Sequence, residues 1–443
     1  MIVFSGLEFM FRFLPIFLLA YYLTPARFRD YVLFGGSFIF YASGEPIFVW
    51  VLLGLTLINY FLANQDDLLT LAVLVLDIGV LVGCKIAALA IPSFSLPIGI
   101  SFYIFKMISF QADLYRGKLR RRPGFIQVAA YFTMFPQIAE GPIMRYGEGR
   151  FSAKRGHEVS VTLLDDGLTF FIIGLAMKVL IADRIGILWN EIVKIGFESI
   201  STPLAWLGAF GYSFQLYFDF WGYSLMAAGL GRMLGFPFIH NFLDPYAANG
   251  IADFYRRWHA TLGSFFRDYV YIPLGGSREG DGKTIRNLLI VWALTGLWHG
   301  GTVNFLIWGL VLGLLIIYEK FVAANLMERI PILGHLHVWF FIPLTWVIFA
   351  ISDLGKLGTY FSRLFPFFGA AGGVVNPGDF MMYLKMFWPF FLASVLLCVP
   401  AISNTLIAWR KKLPIRIILI ALLWVCVYMA VTSAGNPFMY FNF

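Results

Sequence analysis

Two histidines in this 443-residue chain stand where a titratable ring is costly. His299 lies in LTGLWHGGTVNFLIWGL (294–310), a stretch apolar enough to cross a membrane, between Trp298 and the pair Gly300–Gly301. Ionisable residues inside a bilayer are expensive and tend to mark function. Desolvation in a low-dielectric site favours the neutral imidazole. One ring nitrogen can then accept a proton, which is the state a general base needs. The plainer alternative is a ring that only hydrogen-bonds a neighbouring helix. On a helix, His299 shares its face with Thr295, Gly296 and Thr302. These small neighbours either let a second helix approach closely or leave room for a ligand, and the sequence leaves both open.

His259, in FYRRWHATLGSFFRDY, is the second candidate. Read as one helix, its face carries Leu262, Gly263 and Phe266, with Arg256 a turn earlier, so the ring lies between an apolar and a basic side. Arg256, Arg257 and Arg267 either neutralise buried carboxylates or cradle an anion, because guanidinium forks match phosphate geometry. Asp219 in YFDFWGYS and Glu140 in IAEGP read as buried carboxylates, each expected first to neutralise an arginine. His157, His240, His335 and His337 fall in or beside expected loops and read as solvated or interfacial. No third ligand sits at supportive spacing to the two candidate histidines, so no metal is expected. The chain lacks a G-x-S-x-G elbow and any Gly-rich phosphate loop, which argues against a usual serine hydrolase and an NTP-driven pump.

The elements that position these rings are set by composition. Charged residues make up 13% of the chain, against roughly 25% in soluble domains, and hydrophobic residues 60%. An all-α polytopic membrane protein follows, since backbone groups in lipid must be satisfied within the segment. Expected spans are 9–24, 31–43 running into 46–63, 68–92, 94–113, 167–183, 203–229, 287–318, 337–351, 381–402 and 414–433. The run 9–24 carries Arg12 and lacks a small-residue cleavage site, so it reads as a retained helix. Two regions depart from simple spans. Pro136, Gly141 and Pro142 interrupt 126–146, predicting a broken or re-entrant element, and 238–286 mixes rings with charges, predicting half-buried helices at or in the interface. The net charge of +8 comes from short connections such as 116–124 and 410–416. Positive-inside topology explains it and places both on the cytoplasmic side, so no nucleic-acid partner is expected. Cys84, Cys398 and Cys426 read as core thiols.

Five blocks carry a resemblance: LPIGISFYIFKMISFQADLYRG (96–117), FPQIAEGPIMRY (135–146), QLYFDFWGYSLMAAGLGRMLGF (215–236), FYRRWHATLGSFFRDYVYIPLGG (254–276) and LTGLWHGGTVNFLIWG (294–309). In this order they resemble the membrane-bound O-acyltransferase (MBOAT) family, and within it the AlgI-like branch of polysaccharide O-acetylation. The resemblance implies a single domain over 1–443, with N-terminal helices 1–125, a catalytic core 126–318 and C-terminal helices 319–443. The implied fold is a ring of about ten or more transmembrane helices, with re-entrant and interfacial helices, around a central funnel or tunnel. It assigns His299 to the catalytic histidine and His259 to the second, upstream polar position. Around them, Trp258, Trp298, Arg256, Arg257, Asp268, Tyr271, Thr295, Gly300, Asp219 and Glu140 are candidate substrate-binding residues.

The implied reaction moves acetyl from a cytoplasmic thioester, acetyl-CoA being the simplest, toward a secreted or cell-surface polysaccharide. His299 would take a proton from the acceptor or form an acyl-imidazole, while His259 and nearby polar groups orient the thioester and its oxyanion. No bound cofactor is implied. A bacterial cytoplasmic (inner) membrane location and a periplasmic or extracellular acetyltransferase partner are. One departure is a leucine, Leu312, where relatives often carry a histidine after the Trp308–Gly309 pair. The competing readings are D-alanyl transfer from a carrier protein, a lipid or sterol acyltransferase, and a proton-coupled transporter or flippase.

Overall fold

The computed structural model describes residues 3–62, 66–119, 123–139, 141–149, 151, 158–368 and 373–432. Among them every regular element is helical. Among the described residues, five helices are long and apolar enough to cross a membrane: Asp67–Ala90, Val303–Arg329, Pro331–Ala350, Asp379–Leu397 and Leu413–Thr432. The chain is a multi-pass membrane protein. Its outward rings and aliphatics, Leu76, Trp388 and Trp424 among them, match a hydrocarbon surround.

The chain forms two compact units. The first comprises Met1–Leu175, Tyr223–His240 and Ala421–Phe441, and the second Ala176–Gly222, Asn241–Ile420 and Asn442–Phe443. The expected span 9–24 is the helix Phe9–Leu23, and 31–63 resolves into Arg29–Gly44 and Phe48–Phe61. The first unit is held by rings and buried polar bonds. Phe135 packs against Phe9, Phe13, Phe17 and Phe40. Asn59 donates to Asp77 at 2.9 Å and accepts from Gln111 at 3.0 Å, joining three helices. Polar side chains bind helices in lipid in this way because hydrocarbon offers no other partner. As expected, 126–146 is broken, with helix Phe125–Thr133 followed by the single turn Phe135–Ile138.

In the second unit, the expected span 287–318 is corrected to two helices. Asp281–His299 ends at Gly300, and Val303–Arg329 begins three residues later. The pair can close because two glycines meet backbone. A Cβ on Gly296 would lie 2.4 Å from the Phe305 carbonyl oxygen, and one on Gly309 2.3 Å from that of Trp292. The small-residue face at Gly296 therefore serves close helix approach. Gly309→Ala is expected to cost about 1–3 kcal/mol by overpacking, read as a lower Tm in detergent, whereas alanine at Gly282, which meets nothing within 4 Å, leaves Tm nearly unchanged.

Asp219 is also corrected. Its expected partner was an arginine, but it pairs with Lys178 at 2.9 Å, and Lys178 binds Asp183 at 2.5 Å. Lys178 sits on the wider-wound segment Met177–Ala182, which turns its ammonium inside. Glu140 and His157 lie outside the described residues.

Candidate active site

Within the second unit, the helices Ile251–Arg257, Ala260–Phe266, Asp281–His299 and Val303–Arg329 border one cavity of about 990 Å³. His259 and His299 both line it. Trp258, Trp292, Thr295 and Trp308 form part of its wall, and the exposed cations Arg256, Arg267 and Lys320 border it. The two rings come from different elements, so the cavity joins residues that are distant in sequence.

His299 is the last residue of its helix and is 6% exposed. Three rings enclose it: Trp298 at 4.6 Å, Trp308 at 5.0 Å and Phe349 at 5.2 Å between centroids, all steeply inclined. Gly300 is required by this packing, since a Cβ would fall 2.2 Å from the Phe305 ring. Thr302 leaves the expected His299 face because the helix has already ended; its hydroxyl bonds Asn304 at 2.6 Å. Thr295, one turn back, keeps its place beside the ring and faces the cavity.

The helix expected through His259 is corrected too. It stops at Arg257, Trp258 is extended, and His259 takes left-handed angles (φ 46°, ψ 49°) before the helix Ala260–Phe266. Histidine is among the few non-glycine residues enriched there, at a cost of about 1–3 kcal/mol that surrounding contacts must offset. Those contacts come from 241–243. The Ala260 amide donates to the Asn241 carbonyl at 2.9 Å and the Leu243 amide to that of Arg257 at 3.0 Å. The Asn241 side-chain oxygen receives the Thr261 hydroxyl at 2.8 Å and lies 3.0 Å from His259 Nδ1. Phe220 meets the imidazole edge to face at 4.8 Å. Burial pushes the His259 imidazole down to about 3, so the ring is neutral at any physiological pH.

Of the other expected residues, Arg256, Trp258, Tyr271 and Thr295 line the cavity with the two histidines. Trp298 packs between them, 6.0 Å from the His259 ring. Arg257 instead binds Asp253 at 3.0 Å, and Asp268 binds Arg267 at 2.7 Å. Asp219 is held in the Lys178 cluster described above.

Sequence reasoning missed Asn241, Glu319 and His337. His335 and His337, expected in or beside a loop with a span beginning at 337, lie in the helix Pro331–Ala350, which starts six residues earlier. His337 Nδ1 is 2.8 Å from a Glu319 oxygen, and the Ile251 and Ala252 amides donate to the same carboxylate. His335 Nδ1 lies 2.9 Å from the Ala248 carbonyl oxygen. Helix Pro331–Ala350 and Glu319 thus pin the start of the segment that delivers Tyr255, Trp258 and His259. Glu319→Ala strips two helix amides of their acceptor, at about 1–3 kcal/mol per unsatisfied group; the expected result is a lower Tm and weaker acyl transfer, measured on purified protein.

The chain is 37% identical over 381 residues to a probable alginate O-acetylase AlgI of Pseudomonas fluorescens, covering 82% of this chain and 76% of that one. It is 32% identical over 413 residues to a peptidoglycan O-acetyltransferase of Helicobacter pylori, covering 80% and 78%. It is 30% identical over 224 residues to a teichoic acid D-alanyltransferase of Bacillus subtilis, covering 48% and 56%. Residues 33–352, which include both histidines and every cavity-lining residue named above, match the family model for MBOAT, and the chain therefore belongs to the membrane-bound O-acyltransferase family.

Proposed function

We propose that this acyltransferase takes acetyl from a cytoplasmic thioester, acetyl-CoA, and passes it toward O-acetylation of a secreted or cell-surface polysaccharide from a bacterial cytoplasmic membrane. The carrying observation is that two buried histidines line one cavity bordered by Arg256, Arg267 and Lys320. Cations suit the phosphates of a coenzyme, and the aromatic wall suits its apolar arm. The activities for which the relatives are named, alginate O-acetylation and peptidoglycan O-acetylation, support the substrate class.

In this reading His299 takes the proton of the acceptor hydroxyl as its oxygen bonds the acyl carbon. The carbon–sulfur bond then breaks, and the thiolate recovers the proton from the imidazolium. General base help is worth about 10²–10⁴-fold. Holding both reactants in one cavity supplies much of the rest. A partner transferase on the outer face receives or relays the group.

Purified protein with labelled acetyl-CoA, alone and with a candidate outer-face transferase, tests this. Release of coenzyme with label on acceptor or partner supports it. Transfer of D-alanine from a charged carrier protein, with no use of acetyl-CoA, would replace it with the reaction of the Bacillus relative.

A further inference from the structure

Asn241 holds more than the turn. Its side-chain Oδ1 receives the Thr261 backbone amide at 3.3 Å and the Thr261 hydroxyl at 2.8 Å. A backbone N–H only donates, so the atom at that position is the amide oxygen, not the nitrogen. The same oxygen lies 3.0 Å from His259 Nδ1. An amide oxygen only accepts, so Nδ1 carries the proton. A neutral imidazole has one N–H, which leaves the lone pair on Nε2.

We propose that Asn241 is a positioning residue that fixes His259 with its proton on Nδ1, so that the imidazole has Nε2 as a hydrogen-bond acceptor and not as a donor to an oxyanion. The inference rests on the proposed use of this cavity for acyl transfer and deepens it. Free histidine prefers the Nε2–H form, so the protein reverses an intrinsic preference. It does so with a built device: the left-handed backbone at His259 brings Nδ1 over Asn241, and the Ala260 amide and both Thr261 donors clamp Asn241 in place. Burial, which keeps the ring neutral, makes the choice between tautomers complete. A bare Nε2 accepts a hydrogen bond from a hydroxyl or thiol and has no proton to give an oxyanion. Donors to the thioester oxygen must come from other groups around the cavity.

The test uses full-length protein in lipid nanodiscs with ¹⁵N-labelled histidine, the His259 signal being assigned by its loss in His259→Gln. The wild type is expected to show a protonated Nδ1 and a bare Nε2. Asn241→Asp keeps an acceptor and keeps this pattern. Asn241→Leu removes it, the pattern reverts to Nε2–H, and kcat falls about 10- to 100-fold with KM for the acyl donor unchanged. If the leucine variant does not accumulate, Asn241→Ser, too short to reach the ring, serves in its place. A wild type with Nε2–H, a pattern indifferent to Asn241→Leu, or a reverted tautomer with unchanged kcat would each overturn the proposal. Loss of acetyl-CoA use as such is read in the separate transfer assay, so failure of the functional reading is distinguishable from failure of the tautomer assignment.

Discussion

Replacing His299 by alanine is expected to lower acyl transfer by about a hundred- to ten-thousandfold. The ring ends its helix against the cavity, enclosed by Trp298, Trp308 and Phe349. A structural histidine in that box would show its loss mainly as instability. A base shows it in rate, so protein level and Tm should stay near wild type while labelled acetyl no longer leaves the coenzyme. His299→Gln, which keeps more of the shape, should be as inactive as the alanine variant, because an amide cannot take the proton. Full transfer in either variant would remove His299 from the chemistry.

The second large effect concerns stability. Lys178 is 3% exposed at its side chain and pairs with Asp219, 2% exposed, and with Asp183. Lys178→Met takes the ammonium from between two carboxylates. Breaking a buried pair from one side costs about 3–5 kcal/mol, so the variant is expected to accumulate poorly or to melt far below wild type. Asp219→Asn should be milder, since Lys178 keeps Asp183. Joining Lys178→Met with Asp219→Leu should recover part of the loss, because replacing a whole buried pair by apolar groups is often neutral or better. Thermal unfolding of the wild type, Lys178→Met, Asp219→Leu and the double variant closes the cycle; a double variant no better than Lys178→Met alone would show that the pair is not the source of the effect.

The membrane class, the helical content and the two histidines were legible because they depend on residue type over long windows, and apolar runs report burial in lipid directly. Helix ends were less so. The break at Trp258–His259 escaped periodicity because the segment FYRRWHATLGSFF is helical on both sides of a single left-handed residue, and histidine carries no glycine-like signal for that conformation. The split of 287–318 was legible in part: Gly300 and Gly301 were visible, but only the closeness of Gly296 to Phe305 decides between helix packing and ligand space. The partners were not legible. Lys178 and Asp219 are far apart in the chain, as are Glu319 and Ile251, and nothing in local spacing joins them. Asn241 was missed for the same reason, its role existing only once the chain brings 241 beside 259–261.

The claim on which the rest depends is that the cavity shared by His259 and His299 is where the acyl donor reacts. The most direct measurement is a cryo-electron microscopy map of the full-length protein with a non-hydrolysable acetyl-CoA analogue. Density for the analogue is expected in this cavity, its phosphates toward Arg256, Arg267 and Lys320 and its acyl carbon within reach of His299. An analogue bound elsewhere, with the cavity closed to it, would rule out this cavity as the site of acyl transfer.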